Sequence, residues 1–125
     1  MMRRITLLQG SSVSEEIVQR VRAEAAGKQQ VLVFLDSNHT HAHVLAELNA
    51  YAELTTIGSY CVVFDTVIED MPASMFPDRP WGPGNNPKTA AGEFLSSHPE
   101  FEIDDAIDNK LVISVAPKGY LKRVR

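Results

Sequence analysis

Val31-Leu32-Val33-Phe34-Leu35-Asp36-Ser37-Asn38-His39 decides the fold. Five apolar residues follow one another without alternation, the pattern of a strand covered on both faces, as in a parallel sheet. The run stops abruptly at a carboxylate. Tyr60 to Phe64 repeats the same grammar and stops at Asp65. Between the two, from about His41 to Leu54, Val44, Leu45, Leu48, Tyr51 and Ala52 fall on one helical stripe, and Gly58 ends the connection. Strand, helix, strand of this kind is a right-handed crossover, and the carboxyl ends of its strands share the edge at which open α/β sheets bind ligands. Asp36 and Asp65 land on that edge.

Upstream, Ile5 to Leu8 is a short run compatible with a strand, followed by the turn composition Gln9-Gly10-Ser11-Ser12. Ser12 stands three residues before Glu15, the spacing of a capping box. Ile17, Val18, Val21 and Ala25 keep a helical period, so a helix is expected at about 13–26, closed by Gly27 in a left-handed conformation. Downstream, residues 69–87 hold five prolines (Pro72, Pro77, Pro80, Pro83, Pro87) and two glycines (Gly82, Gly84), the composition of a long loop that serves as a lid or stays disordered. Asn86 is placed to cap, and Pro87 to begin, a helix at 87–97. Phe101 and Ile103 alternate with acidic residues, and Leu111 to Val115 is a further apolar run. The seven residues between them, 104–110, allow an antiparallel pair. Lys118 to Arg125 reads as a solvated tail. The expected architecture is α/β: three parallel strands with crossover helices, then an antiparallel pair, in a single domain over 1–125.

Composition narrows the function classes. A chain of 125 residues supports one core. A net charge of −4 leaves no basic footprint for nucleic acid. Cys61, the only cysteine, lies in an apolar run and reads as a small core residue, which fits a reducing cytoplasmic setting. The apolar part of MMRRITLL is too short for a signal peptide or a membrane span.

Asp36 and Asp65, at equivalent strand ends, suit a hard cation such as magnesium; aspartates there also serve as plain caps. In His39-Thr40-His41-Ala42-His43, a helix would put His39 and His43 on one face, as a transition metal needs, and an extended chain would align all three. The plainer reading makes His41 and His43 solvated first-turn residues. His39, nearest the strand end, is the candidate general base. Trp81 to Asn86 either closes over a substrate or anchors a surface loop.

Gln9-Gly10-Ser11-Ser12, VLVFLDSNHTHAHVLAELNAYA, Gly58-Ser59-Tyr60 through VVFDT, Gly82-Pro83-Gly84 and Gly119-Tyr120-Leu121 together resemble the cephalosporin hydroxylase and rhamnosyl O-methyltransferase family. The resemblance runs over nearly all of the chain. It implies a Rossmann-like, S-adenosylmethionine-dependent methyltransferase sheet with a magnesium site. On that basis Asp36 and Asp65 match metal positions, and Gly10, Ser11 and Ser12 match the turn beside the cofactor. Two departures stand out: Phe64 occupies a position where the family has an acidic ligand, and Met1 stands just before what would be the third strand, so the first cofactor-binding strands have no counterpart here.

Three arrangements follow. The Ile5 strand pairs directly with the Val31 strand, a second copy covers the exposed edge to give a homodimer, or a longer protein supplies the missing strands. Two functions follow as well. One is O-methyl transfer to a small hydroxylated substrate, of sugar or natural-product type, with magnesium assistance and His39 as base. The other is a non-catalytic domain that dimerises or binds ligand without turnover.

Overall fold

A computed structural model describes residues 5–125 of the chain. Its centre is a four-stranded mixed sheet of β1 (Val33–Leu35), β2 (Tyr60–Val63), β3 (Phe101–Ile103) and β4 (Tyr120–Arg123), in the order β1-β2-β4-β3. Only β1 and β2 are parallel; β4 runs antiparallel to both β2 and β3. Val33, Cys61, Leu121 and Ile103 form one row across all four strands. That row faces α2 (His41–Tyr51) and α3 (Pro87–Ser97), which contribute Val44, Leu48, Tyr51, Ala90, Ala91 and Phe94 to a single core. Helix α1 (Glu15–Ala25) adds Val18 to the same core. Leu48 and Leu121 are fully buried, and burial of such side chains stabilises by about 1.5–3 kcal/mol each.

The helices begin and end for local reasons. Asn86 accepts hydrogen bonds from the backbone N–H groups of Lys88 and Thr89, and the Thr89 hydroxyl answers the Asn86 N–H, so α3 starts at Pro87 as its sequence requires. Gly27 takes the left-handed conformation (φ 73°) that closes α1. The capping box expected from Ser12 does not form. Ser14 holds the cap position without a side-chain bond, because the Ser12 hydroxyl is turned toward Ser37 and His43.

Three further expectations are corrected. Ile5 to Leu8 is no strand, so the parallel set has two members rather than three and the direct pairing of the Ile5 run with the Val31 run is not made. Four residues with no adjacent ladder do not make a strand, and Ile5 and Leu7 are 75% and 88% exposed. Leu111 to Val115 is not a strand either. Asp104 accepts from the Ala106 N–H and starts α4 (Asp105–Leu111), with Asp105 and Asp108 at the helix end that favours negative charge. The strand that pairs with β3 is instead β4, taken from the expected solvated tail and placed between β2 and β3. Gly119 makes this possible: a Cβ there would stand 2.2 Å from the Val63 carbonyl oxygen.

The opposite sheet face carries the row Phe34, Val62 and Tyr120. The segment after α4 meets part of it, through the Ser114 hydroxyl at Tyr120 and the Val67 N–H at the Val115 carbonyl. Phe34 remains 60% exposed beside Phe64, their ring centroids 6.1 Å apart.

Candidate functional site

Where β1 and β2 end, the Phe64 N–H donates to the Leu35 carbonyl at 3.0 Å, which brings Asp36 and Asp65 to the same edge. Asp65 sits in a left-handed turn (φ 56°) that opens the 3-10 segment Thr66–Asp70. His39 lies just before the α2 cap, Thr40, and approaches from the other side. One ligand atom each of Asp36, His39 and Asp65 lies within 4.8 Å of the others. His39 Nδ1 is 3.5 Å from Asp65 Oδ2. Burial raises the Asp65 pKa above the ordinary aspartate value, the Asp36 charge adds to the rise, and His39 opposes it. Two carboxylates and an imidazole can share a divalent cation or a proton.

Trp81 meets His39 edge-on at 4.9 Å, and the Arg79 guanidinium lies 5.3 Å from the Trp81 ring centre. The loop that carries them is tied down. Glu69 accepts from the Gly84 N–H at 2.7 Å and from the Asn86 side-chain amide, and these bonds hold its carboxyl below its usual range. Asn85 Oδ1 accepts the His41 N–H at 2.9 Å, which ties the loop to the start of α2.

The three histidines diverge. His41 turns to Thr89 and Glu93 on α3. His43 Nε2 lies 3.0 Å from the Ser12 hydroxyl and 3.2 Å from that of Ser37. His39 and His43 therefore do not share a metal, and the shared-face transition-metal reading of the histidine run is not realised. Ser37 also donates to Glu47 Oε1 at 2.6 Å. Serine and glutamate approach the same ring nitrogen of His43, so this is no serine-histidine-acid relay, which needs the acid on the other nitrogen. The sequence does contain a signal for this network: Glu47 falls in the stripe Val44, Leu48, Tyr51, at a position otherwise reserved for core residues, and is 2% exposed.

Beside the cluster a groove of about 560 Å³ follows the outer edge of β1. Gly10 and Ser12 of the expected cofactor turn line it and Ser11 does not; Asp36, Ser37, Glu47 and Tyr51 line it from the β1 and α2 side. Gly10 has φ 153°, and a Cβ there would stand 2.8 Å from Ile17, so the turn requires glycine.

The family model described as Rhamnosyl O-methyltransferase/CmcI matches residues 1–124. The chain belongs to this family. It is 35% identical over 109 residues to the rhamnosyl O-methyltransferase of Mycobacterium tuberculosis, covering 86% of this chain and 41% of that protein. Identity to the rhamnosyl O-methyltransferase of Mycobacterium leprae is 32% over 108 residues, 86% of this chain and 44% of that protein. The chain thus spans less than half the length of these relatives. No solved structure matches it. Among the described residues, no helix is long and apolar enough to cross a membrane. In this O-methyltransferase family member, the two carboxylates Asp36 and Asp65 fit a divalent cation with His39 beside them, while Phe64 turns its ring toward Phe34 and offers no ligand.

Proposed function

We propose that the chain carries the acceptor-activating site of an S-adenosylmethionine-dependent O-methyltransferase acting on a small hydroxylated substrate of sugar or natural-product type. The convergence of Asp36, His39 and Asp65 beneath Trp81, at the shared strand edge, carries this reading. Magnesium at Asp36 and Asp65 would make a coordinated hydroxyl more acidic. S-adenosylmethionine, when bound, would supply the methyl group to the acceptor oxygen, with the thioether as leaving group.

The chain's own residues do the rest. His39, steadied by Asp65, takes the proton from the acceptor hydroxyl. Trp81 and the loop tied by Glu69 and Asn85 limit water at that hydroxyl. Gly10 and Ser12 shape the groove on the cofactor side, with Ser12 held by Ser37 and His43. Burial pushes the Cys61 thiol up to about 12, so it stays protonated in the core and takes no part in this chemistry.

The second reading is a domain that binds ligand or self-associates through the free edge of β1 without turnover. It is favoured by one observation: the Ser12 hydroxyl is already engaged within the protein. Calorimetry of the folded chain with S-adenosylmethionine and with magnesium tests the ligand binding that the enzyme reading requires, and transfer of labelled methyl to a sugar acceptor separates turnover from binding alone. Heat with both supports the enzyme; no heat with either ligand sinks it.

A further inference from the structure

Glu47 puts a carboxylate on the face of α2 that presents Val44, Leu48 and Tyr51 to the core, and it is 2% exposed. Burying a carboxylate costs free energy, and a well-packed apolar side chain in its place is commonly neutral or stabilising. Its place in the stripe is explained by what it holds.

The protons around it can be assigned. Ser37 has a single hydroxyl proton and donates it to Glu47 Oε1 at 2.6 Å, a short bond to a charged acceptor. The Ser37 oxygen then has only lone pairs to offer its other neighbours. His43 Nε2 lies 3.2 Å from that oxygen, 3.6 Å from Glu47 Oε1 and 3.0 Å from Ser12 Oγ. A ring nitrogen set against two acceptors carries the proton, so His43 is protonated at Nε2 and donates, with Ser12 as its nearest acceptor. Ser12 in turn donates to the Ser37 oxygen, 3.3 Å away. Each hydroxyl direction in the group thus follows from the one bond to Glu47. One turn further along α2, the Tyr51 hydroxyl donates to the Ser12 carbonyl and holds the same residue by its backbone.

We propose that Glu47 is a positioning residue: through Ser37 and His43 it turns the Ser12 hydroxyl inward and joins the turn of Gly10, Ser11 and Ser12 to the strand end that carries Asp36. Ser37 follows Asp36 directly in the chain, so one buried carboxylate steadies both the turn and the cation edge. The engaged Ser12 hydroxyl is then the support of the turn. The proposal rests on the reading of that turn and that edge as parts of a methyltransferase site, but its test reads the hydrogen bonds themselves, so either can fail while the other stands.

Nitrogen-15 NMR of the cation-free full chain should show His43 with its proton on Nε2 and a single Ser12 amide signal. Glu47→Leu continues the apolar stripe of α2; its thermal midpoint should hold or rise, while the His43 tautomers mix and the Ser12 signal shifts. Glu47→Gln keeps an acceptor for the Ser37 hydroxyl and should restore both signals. Manganese affinity, read by quenching of Trp81 emission, should fall about tenfold in Glu47→Leu and recover in Glu47→Gln, the scale of losing a group that orients a metal ligand. If Glu47→Leu does not fold, Ser37→Ala cuts the same series of bonds at its middle and should give the same spectral changes. His43 and Ser12 signals that stay in place in a folded Glu47→Leu or Ser37→Ala overturn the proposal. So does a Glu47→Gln chain as altered as Glu47→Leu, or a manganese affinity that Glu47→Leu leaves unchanged. Should the wild type take no manganese, the cation reading falls and the spectra still decide the proposal.

Discussion

At Asp65 a cation and a proton compete for one carboxylate. Burial raises its pKa, so protonation begins at a higher pH than for a free aspartate, and cation binding is expected to fail on mild acidification. The sign for stability is the opposite of that of a salt-bridged acid: the fold favours the protonated form, so ionisation above the raised pKa costs stability. Asp65→Asn should therefore abolish cation binding while leaving the cation-free chain as stable as before or slightly more so; asparagine also tolerates the left-handed turn. Thermal melts with and without magnesium check both halves. A variant destabilised without cation would count against this reading. Gly119 gives a purely structural contrast. Its missing Cβ leaves room for the Val63 carbonyl, and Gly119→Ala should cost about 1–3 kcal/mol in chemical denaturation. Asp36 and Asp65 were legible from the sequence because strand ends announce themselves. The network that links Ser12 to Glu47 through Ser37 and His43 was not, because it connects residues 35 apart through a tertiary approach that no local pattern encodes; only the charge inside the α2 stripe marks it.

Among the elements, the 69–87 loop was legible as irregular from its prolines, yet its order was not. Glu69 supplies that order through the Gly84 N–H and the Asn86 amide. Since these bonds lower the Glu69 pKa, their stabilisation is present above the ordinary glutamate range and is lost as pH falls through the lowered value. Trp81 emission followed through that acid range should report loosening of the loop, and Glu69→Gln should shift or remove the transition. An emission that ignores both pH and the substitution would show that Glu69 does not hold the loop. The carboxyl-terminal strand makes the opposite lesson. Lys122 and Arg123 gave it the look of a tail, but Leu121 is fully buried and Arg123 donates to the Glu53 and Thr55 carbonyls. Removing residues 119–125 deletes the strand between β2 and β3, and circular dichroism should show loss of cooperative unfolding rather than the silent trimming a tail would allow.

For the whole molecule, the α/β class and the β1-α2-β2 unit followed from two unalternating runs and the stripe between them. Strand order did not. The chain places β4 between β2 and β3 and leaves β1 at the edge, outcomes decided by which strands can reach one another rather than by the pattern of any one of them. The same topology brings Asp36, His39 and Asp65 together and sets Trp81, the only tryptophan, against His39. Trp81 emission therefore reads the cluster directly. Titration with manganese, a paramagnetic stand-in for magnesium, should quench that emission saturably, with magnesium competing and with Asp36→Asn and Asp65→Asn each abolishing the effect. No quenching, or quenching that survives both substitutions, would contradict a cation site at these strand ends.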